Sequence, residues 1–226
     1  MIRTPICDLL NIKHPIALGG MGSASAPAMT AAVSRAGGLG ALGCHYLTPE
    51  QIRERTAAIR KETNKPFGLN FLLFDTREDS FATALELRPP VIQFAWARAD
   101  QDLKQFFDRA HEAGCKVTYM AGAVNQAVRA AKAGADVIIT QDTEGGGHVG
   151  WMGSMPQSRV ESIARLRAAR ESGDTDEGPL SMGQDAGLIR NIPHAAEIVI
   201  PDCRRSRGDL DLQAASPRGR RANGHV

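Results

Sequence analysis

The sequence predicts an α/β protein in which strands and helices alternate around a parallel sheet. Two observations predict it. Short apolar runs recur between residues 15 and 140, several of them closed by glycine. Between them, apolar residues fall at i, i+3, i+4 and i+7, the spacing of one helical face. Strands alternating with helices at this spacing are βα units, and βα units pair their strands in parallel.

The first unit opens with "PIALGG" (15–20), a short apolar run stopped by glycine, as expected of a strand buried on both faces. A helix follows over 27–36, with Pro27 in its first turn, Met29, Ala32, Val33 and Ala36 on one face, and Gly37 just past its end. "LGALG" (39–43) is the second strand. Thr48-Pro49-Glu50-Gln51 forms a capping box with proline at the first helical position. "FGLNF" (67–71) and "VIQFA" (91–95) are the third and fourth strands, joined by a short irregular helix near 77–87. Leu103, Phe106, Phe107 and Ala110 repeat the helical spacing, and Gly114 follows. "KVTYMA" (116–121) is the fifth strand. Val124, Ala127, Val128 and Ala131 repeat the spacing again before Gly134, and "DVIIT" (136–140) is the sixth strand.

Composition bounds the function. The chain has 226 residues, enough for one domain with a sizeable core. Hydrophobic residues are 42% and charged residues 23%, ordinary for a globular protein. A net charge of +2 does not by itself call for nucleic acid or an anionic membrane. From Pro201 to Val226, six Arg stand against three Asp, a local +3 that leaves about −1 elsewhere. Cys7, Cys44, Cys115 and Cys203 form no C-x-x-C pair and no metal-ligand spacing, so the expectation is buried free thiols and no metal. Arg3, Asp8 and Lys13 interrupt every early apolar run, and no stretch approaches the ~20 residues of a membrane helix. The expected location is cytoplasmic.

Two closures of such a sheet are open, a doubly wound sheet and a (β/α)8 barrel. In both, ligands bind at the carboxyl ends of the strands. The residues there are Gly20-Met21-Gly22, Gly43-Cys44-His45, Asn70-Phe71, Ala95-Trp96, Ala121-Gly122, and Gln141-Asp142 leading to His148. They hold few carboxylates, no Ser/His/Asp arrangement and no ligand cluster. Small residues, amides and backbone suit a flat, neutral, hydrogen-bonding cofactor. Glycine lets backbone N–H groups approach a ring, Asn70 and Gln141 can each donate and accept, and Met21 can pack on its face. His148 ends the glycine-rich "EGGGHVG" (144–150), where a neutral imidazole can take a proton near pH 7. His14 and His45 read as structural, and His111 as a solvent-side helix residue.

"PIALGGM", "GLGALG", "FGLNF" and "DVIITQDTEGGGHVG", in this order and spacing, resemble the nitronate monooxygenase family, formerly 2-nitropropane dioxygenases, over residues 1 to about 156. The resemblance implies an FMN-dependent TIM barrel that oxidises alkyl nitronates to a carbonyl compound and nitrite, using O2. It implies that Gly20 and Met21 line the flavin, that Asn70 bonds the ring edge, and that Gln141 and Asp142 lie along the ring or ribityl chain. Gly146 and Gly147 complete the cofactor-binding set. His148 would face a nitronate or nitroalkane, holding its oxygens or taking the α-proton. FMN-type enoyl-acyl-carrier-protein reductases share the architecture and much of the motif set, and are the alternative enzyme.

The family's barrel continues after Pro156 with two strands ending in Gly-Gly and Gly-Thr turns that hold the FMN phosphate. Here "SRVESIARLRAARESGDTDEG" follows, then "GPLSMGQDAGLI" (178–189), similar to the family's closing segment. The expected organisation is therefore an incomplete TIM-barrel-type repeat of about six of eight βα units over 1–156. A C-terminal helical segment (157–200) and a disordered basic tail (201–226) follow. The tail has no aromatic to stack on a base, so no nucleic-acid partner is expected. Open parallel edges allow a homo-oligomer, and a truncated barrel that binds no flavin is the non-catalytic alternative.

Overall fold

The structure is a computed structural model and describes residues 3–141. Five strands form one sheet: β1 (Gly40–Gly43), β2 (Phe67–Leu72), β3 (Val91–Ala95), β4 (Lys116–Ala121) and β5 (Val137–Thr140). Every pair is parallel and the order is β1-β2-β3-β4-β5. A doubly wound sheet reverses its strand order at a switch point. Among the described residues the sheet never reverses, which makes the repeat barrel-type.

The expected first strand, 15–20, is reduced to one bridge, Ala17 with Leu39. Two ladder bonds remain, Leu18 N–H to Leu39 O (2.8 Å) and Leu39 N–H to Ile16 O (2.9 Å). Pro15 lacks an N–H at one end and Gly19-Gly20 turns away at the other, so the run is too short for more.

Helices fill the connections: α2 (Pro27–Arg35), α3 (Pro49–Glu62), α4 (Glu78–Glu86), α5 (Leu103–Glu112) and α6 (Val124–Ala133). The capping box stands as expected, with Gln51 N–H donating to Thr48 Oγ1 (3.3 Å) and Thr48 N–H to Gln51 Oε1 (3.0 Å). Gly37, Gly114 and Gly134 follow or end their helices at φ +97°, +82° and +100°, a conformation glycine adopts without Cβ strain. The α4 helix is regular rather than irregular, with a 3-10 turn (Leu73–Asp75) taking up the irregular part. A five-residue helix, α1 (Pro5–Leu9), escaped the sequence because so short a segment carries no periodicity.

Alternation along the strands gives the sheet two faces. Phe71, Phe94 and Tyr119 pair in register on the outer one. There Phe81 of α4 meets Phe94 at 5.6 Å between ring centroids, and Phe107 of α5 meets it at 5.4 Å. Fully burying each such ring contributes about 1.5–3 kcal/mol. On the inner face, towards the strands' amino ends, Leu39 and Val91 pack with Cys7, Leu10 and Ile12. The α1 segment thus plugs the amino end of the inner face.

Two helices bury a different stripe from the expected one. Helix α2 buries Thr30, Ala31, Val33 and Ser34, while Met29 is exposed. The reason is Gly40, where a Cβ would overlap the Thr30 carbonyl, so helix and strand meet backbone to backbone. The hydroxyls serve that contact, with Thr30 donating to Ala41 O (3.1 Å) and Ser34 Oγ accepting from Gly40 N–H (3.1 Å). In α6 only Ala130 is fully buried, and Val124 is 81% exposed.

Candidate active site

The carboxyl ends of the strands are built around glycine contacts. A Cβ on Gly20 would overlap the side chain of Asn70, so the 19–20 turn lies directly against that amide. A Cβ on Gly43 would stand 2.8–3.0 Å from the backbone of Gly22. Ser25, fully buried, ties these pieces together. Its Oγ accepts from Met21 N–H (3.1 Å) and Gly43 N–H (3.0 Å) and donates to Gly22 O (3.3 Å). Sequence reasoning passed over Ser25. Its signal was a hydroxyl inside "GGMGSAS", a stretch too rich in glycine to hold its shape alone.

Around this turn the structure places the expected residues as follows. Gly20 and Asn70 are brought together, and Asn70 is buried at the fourth position of β2. Met21 is 44% exposed and free to cover a ligand. Gln141 lies one residue beyond β5, with its N–H bonded to Ala121 O (3.0 Å). Asp142, Gly146, Gly147 and His148 lie outside the described residues, as do the 157–200 and 201–226 segments and Cys203.

The sheet register adds two residues that the sequence reading did not select. Asn70 pairs with Gln93, and Gln93 with Thr118. These positions alternate with the outer Phe71, Phe94 and Tyr119, so all three belong to the inner face. Each is at most 4% exposed. Gln93 Cγ and Cδ lie 3.4 and 3.6 Å from where a Gly68 Cβ would stand, so glycine admits the amide onto the sheet. The retrievable signal was one hydrogen-bonding residue in each of three successive strands.

The neighbouring loops are fixed and strained. Tyr46, after β1, has φ +66° and Trp96, after β3, has φ +58°, unusual for bulky residues and frequent at functional sites. Phe74 N–H donates to Trp96 O (3.0 Å), Arg98 to Phe74 O (2.6 Å) and Gln101 to Leu73 O (2.7 Å). Cys44 is no nucleophile, because burial pushes its thiol up to about 12, far above neutral pH. Among the described residues no group of three His, Cys, Asp or Glu could hold a metal, and Cys7, Cys44 and Cys115 are free and buried.

The opposite end of the sheet looks different. A cavity of about 810 Å3 lies there, lined by Arg3, Lys13, Arg35 and Lys65 among others. Its walls precede β1 and β2, whereas ligands of such folds sit past the strands, so it is not the reaction site. His14 is buried, which holds its imidazole below the usual range. His111 is half-exposed as expected, but its Nε2 lies 2.8 Å from Asp136 Oδ2. Asp136 also accepts from Lys116 Nζ (3.0 Å) and Val117 N–H (2.8 Å). Burial alone would push the Asp136 carboxyl up, but the Val117 amide, His111 and Lys116 outweigh it and hold it below the usual carboxylate range.

A model of the nitronate monooxygenase family matches residues 3–86 and 74–166. The (3aS,4S,5R,7aS)-5-hydroxy-7a-methyl-1-oxo-octahydro-1H-indene-4-carboxyl-CoA dehydrogenase of Mycobacterium tuberculosis is 34% identical over 149 residues, covering 66% of this chain and 41% of that one. A probable nitronate monooxygenase of Staphylococcus aureus is 27% identical over 183 residues, covering 66% and 51%. The chain thus spans about half the length, or less, of these relatives. FabK from Thermotoga maritima superposes with a TM-score of 0.81 at 22% identity, covering 94% of this chain and 100% of that one. Nitroalkane oxidase from Streptomyces ansochromogenes gives 0.58 at 24%, covering 76% and 58%. At such identities the two structures speak for the fold alone, and both share the barrel-type repeat described above.

Proposed function

The chain belongs to the nitronate monooxygenase family, and we propose that it forms the flavin-binding half of an FMN-dependent oxidoreductase acting on alkyl nitronates or nitroalkanes with O2. One observation carries the reading. The family match runs on to residue 166 and so takes in the sequence from Gln141 to His148, and Gln141 directly follows β5, at the same sheet end as Asn70.

The residues fit a flavin ring. Gly20 and Gly43 leave no room for a Cβ, Asn70 is a neutral amide beside them, and no charged side chain stands in the Asn70–Gln93–Thr118 row. Bound FMN would supply the electron transfer and the oxygen chemistry. The chain's own parts are narrower. Gly20 and Met21 would border the ring, Asn70 would hydrogen-bond its edge, and Ser25 would keep the 20–22 turn in position. Gln141, Asp142, Gly146 and Gly147 would line the ring or the ribityl chain. His148 would hold the nitronate oxygens or take the α-proton of a neutral nitroalkane.

The test separates two substrates. His148→Asn should lower kcat/KM for a neutral nitroalkane by about 10²–10⁴-fold, the usual contribution of a positioned base. A pre-ionised nitronate has already lost that proton, so nitrite release from it should fall much less. Equal losses for both would turn His148 into an anion-binding or structural residue. A folded chain that stays colourless after incubation with FMN would favour the truncated, non-catalytic reading.

The second reading is an oxidoreductase of acyl thioesters. It is favoured by the Mycobacterium relative, a CoA-linked dehydrogenase by name, whose 34% identity exceeds the 27% of the Staphylococcus protein. Enoyl-acyl-carrier-protein reduction belongs to the same class. NAD(P)H consumption with an enoyl thioester, set against nitrite release from a nitronate, decides between them.

A further inference from the structure

Thr118 poses a question that packing does not answer. It sits in the middle of β4, 1% exposed, and its Oγ1 has no hydrogen-bond partner. A buried hydroxyl left unpaired costs about 1–3 kcal/mol, and folded proteins keep few of them. The strand backbone offers no relief, because its N–H and C=O groups are engaged with β3 and β5. The hydroxyl lies in the row that begins at Gly43 and runs through Asn70 and Gln93. One layer nearer the amino end, the same face carries Ala41, Gly68 and Val91 in β1 to β3, and Val91 packs with Leu39, Cys7, Leu10 and Ile12. In β1 to β3 the row is therefore the last polar layer above a dry plug. It carries two amides and a hydroxyl, which together recognise a neutral planar group with several heteroatoms along one edge.

We propose that Gln93 and Thr118 extend the Asn70 contact, so that three strands together hydrogen-bond the polar edge of the flavin ring. This rests on the flavin reading above. It gives the unpaired Thr118 hydroxyl its partner and assigns the Gln93 amide, admitted by Gly68, to the ligand rather than to the fold. The claim separates affinity from stability. A residue kept for packing supports both, whereas a residue kept for a ligand supports only the complex.

The experiment uses the full chain without flavin, titrated with FMN by fluorescence quenching and unfolded in urea. Thr118→Val removes the unpaired hydroxyl at nearly constant volume. Its urea midpoint without flavin should hold or rise, while its FMN Kd should weaken by about 5- to 100-fold, the loss of one buried hydrogen bond. Thr118→Ser keeps the hydroxyl and should bind FMN like the parent chain. Gln93→Leu should weaken FMN and alter the absorption band of the bound flavin. Thr56 is the control, because its Oγ1 is also buried and unpaired but sits on α3 between Ile52 and Ile59, facing the outer core. Thr56→Val should raise the midpoint and leave FMN affinity unchanged. If Thr118→Val binds FMN like the parent chain, the inference fails while the flavin reading stands. A fall of midpoint and affinity together makes Thr118 a packing residue and also overturns it. If the parent chain quenches no FMN fluorescence, the flavin reading falls and takes this inference with it.

Discussion

The two ends of this sheet are built from different materials. At the amino end, apolar side chains seal the inner face and ion pairs tie the surface. Leu39 and Val91 lie under α1, Asp136 joins His111 to Lys116, and Arg35 pairs with Glu62 at 3.0 Å. Towards the carboxyl end the inner-face groups are neutral and hydrogen-bonding, glycines hold the backbone close, and Tyr46 and Trp96 carry strain. The amino end is finished as folded, while the polar layer above it holds a buried hydroxyl without a partner. On the flavin reading proposed above, stability and binding fall to opposite ends of the same five strands.

Substitutions can break that division. Leu39→Ala at the amino end should have the largest effect on stability, about 2–5 kcal/mol from lost burial and a cavity. Urea unfolding checks it, and FMN affinity should stay at the parent value. A large loss of affinity would mean that the plug shapes the site. Gly20→Ala should do the reverse. Its methyl would displace Asn70, so FMN affinity should drop more than tenfold while stability falls by about 1–3 kcal/mol, the usual cost of overpacking. Unchanged flavin binding would show that the Gly20–Asn70 contact is not part of the site.

Two smaller effects concern acid. Asp136→Asn should cost about 1–3 kcal/mol at neutral pH, since it weakens three buried or half-buried hydrogen bonds. The folded carboxyl is held low, so its contribution is present above the unfolded value of about 3.9 and is lost as pH falls through the folded one. The gap between parent and variant should therefore close in strong acid. His14 has the smallest effect. Burial keeps the folded imidazole neutral while the unfolded one takes a proton near pH 6.5, so stability is present above that pH and declines below it. His14→Gln should flatten this decline. A parent chain equally stable at pH 7 and pH 5 would contradict it.

The middle of the fold was legible because glycine and proline mark its boundaries. Thr48-Pro49, Gly114 and Gly134 bracket helices whose limits agree with the structure within a residue or two. Legibility failed where a neighbour decides. The stripe of α2 turned towards Thr30 and Ser34 because Gly40 lets the backbones touch, a fact of the partner strand and not of the helix. The Val124 stripe of α6 has the same periodicity as the buried helices yet stays exposed among the described residues. The site divided in the same way. Gly20 and Asn70 could be found one at a time at strand ends. Gln93 and Thr118 acquire meaning only from the register that aligns them with Asn70, and a single strand read alone does not contain its register.

The unreversed order of the strands bears on how the chain folds as it is made. Each strand pairs with the next one in sequence, and register partners are 19 to 27 residues apart, from Thr118 with Val137 to Gly40 with Phe67. Among the described residues, no pairing within the sheet waits for a distant segment. The entropy cost of closing such loops grows only slowly with their length. A nascent chain leaving the ribosome can therefore dock each strand on the preceding one as it emerges, so the sheet grows from β1 towards β5 in the direction of synthesis.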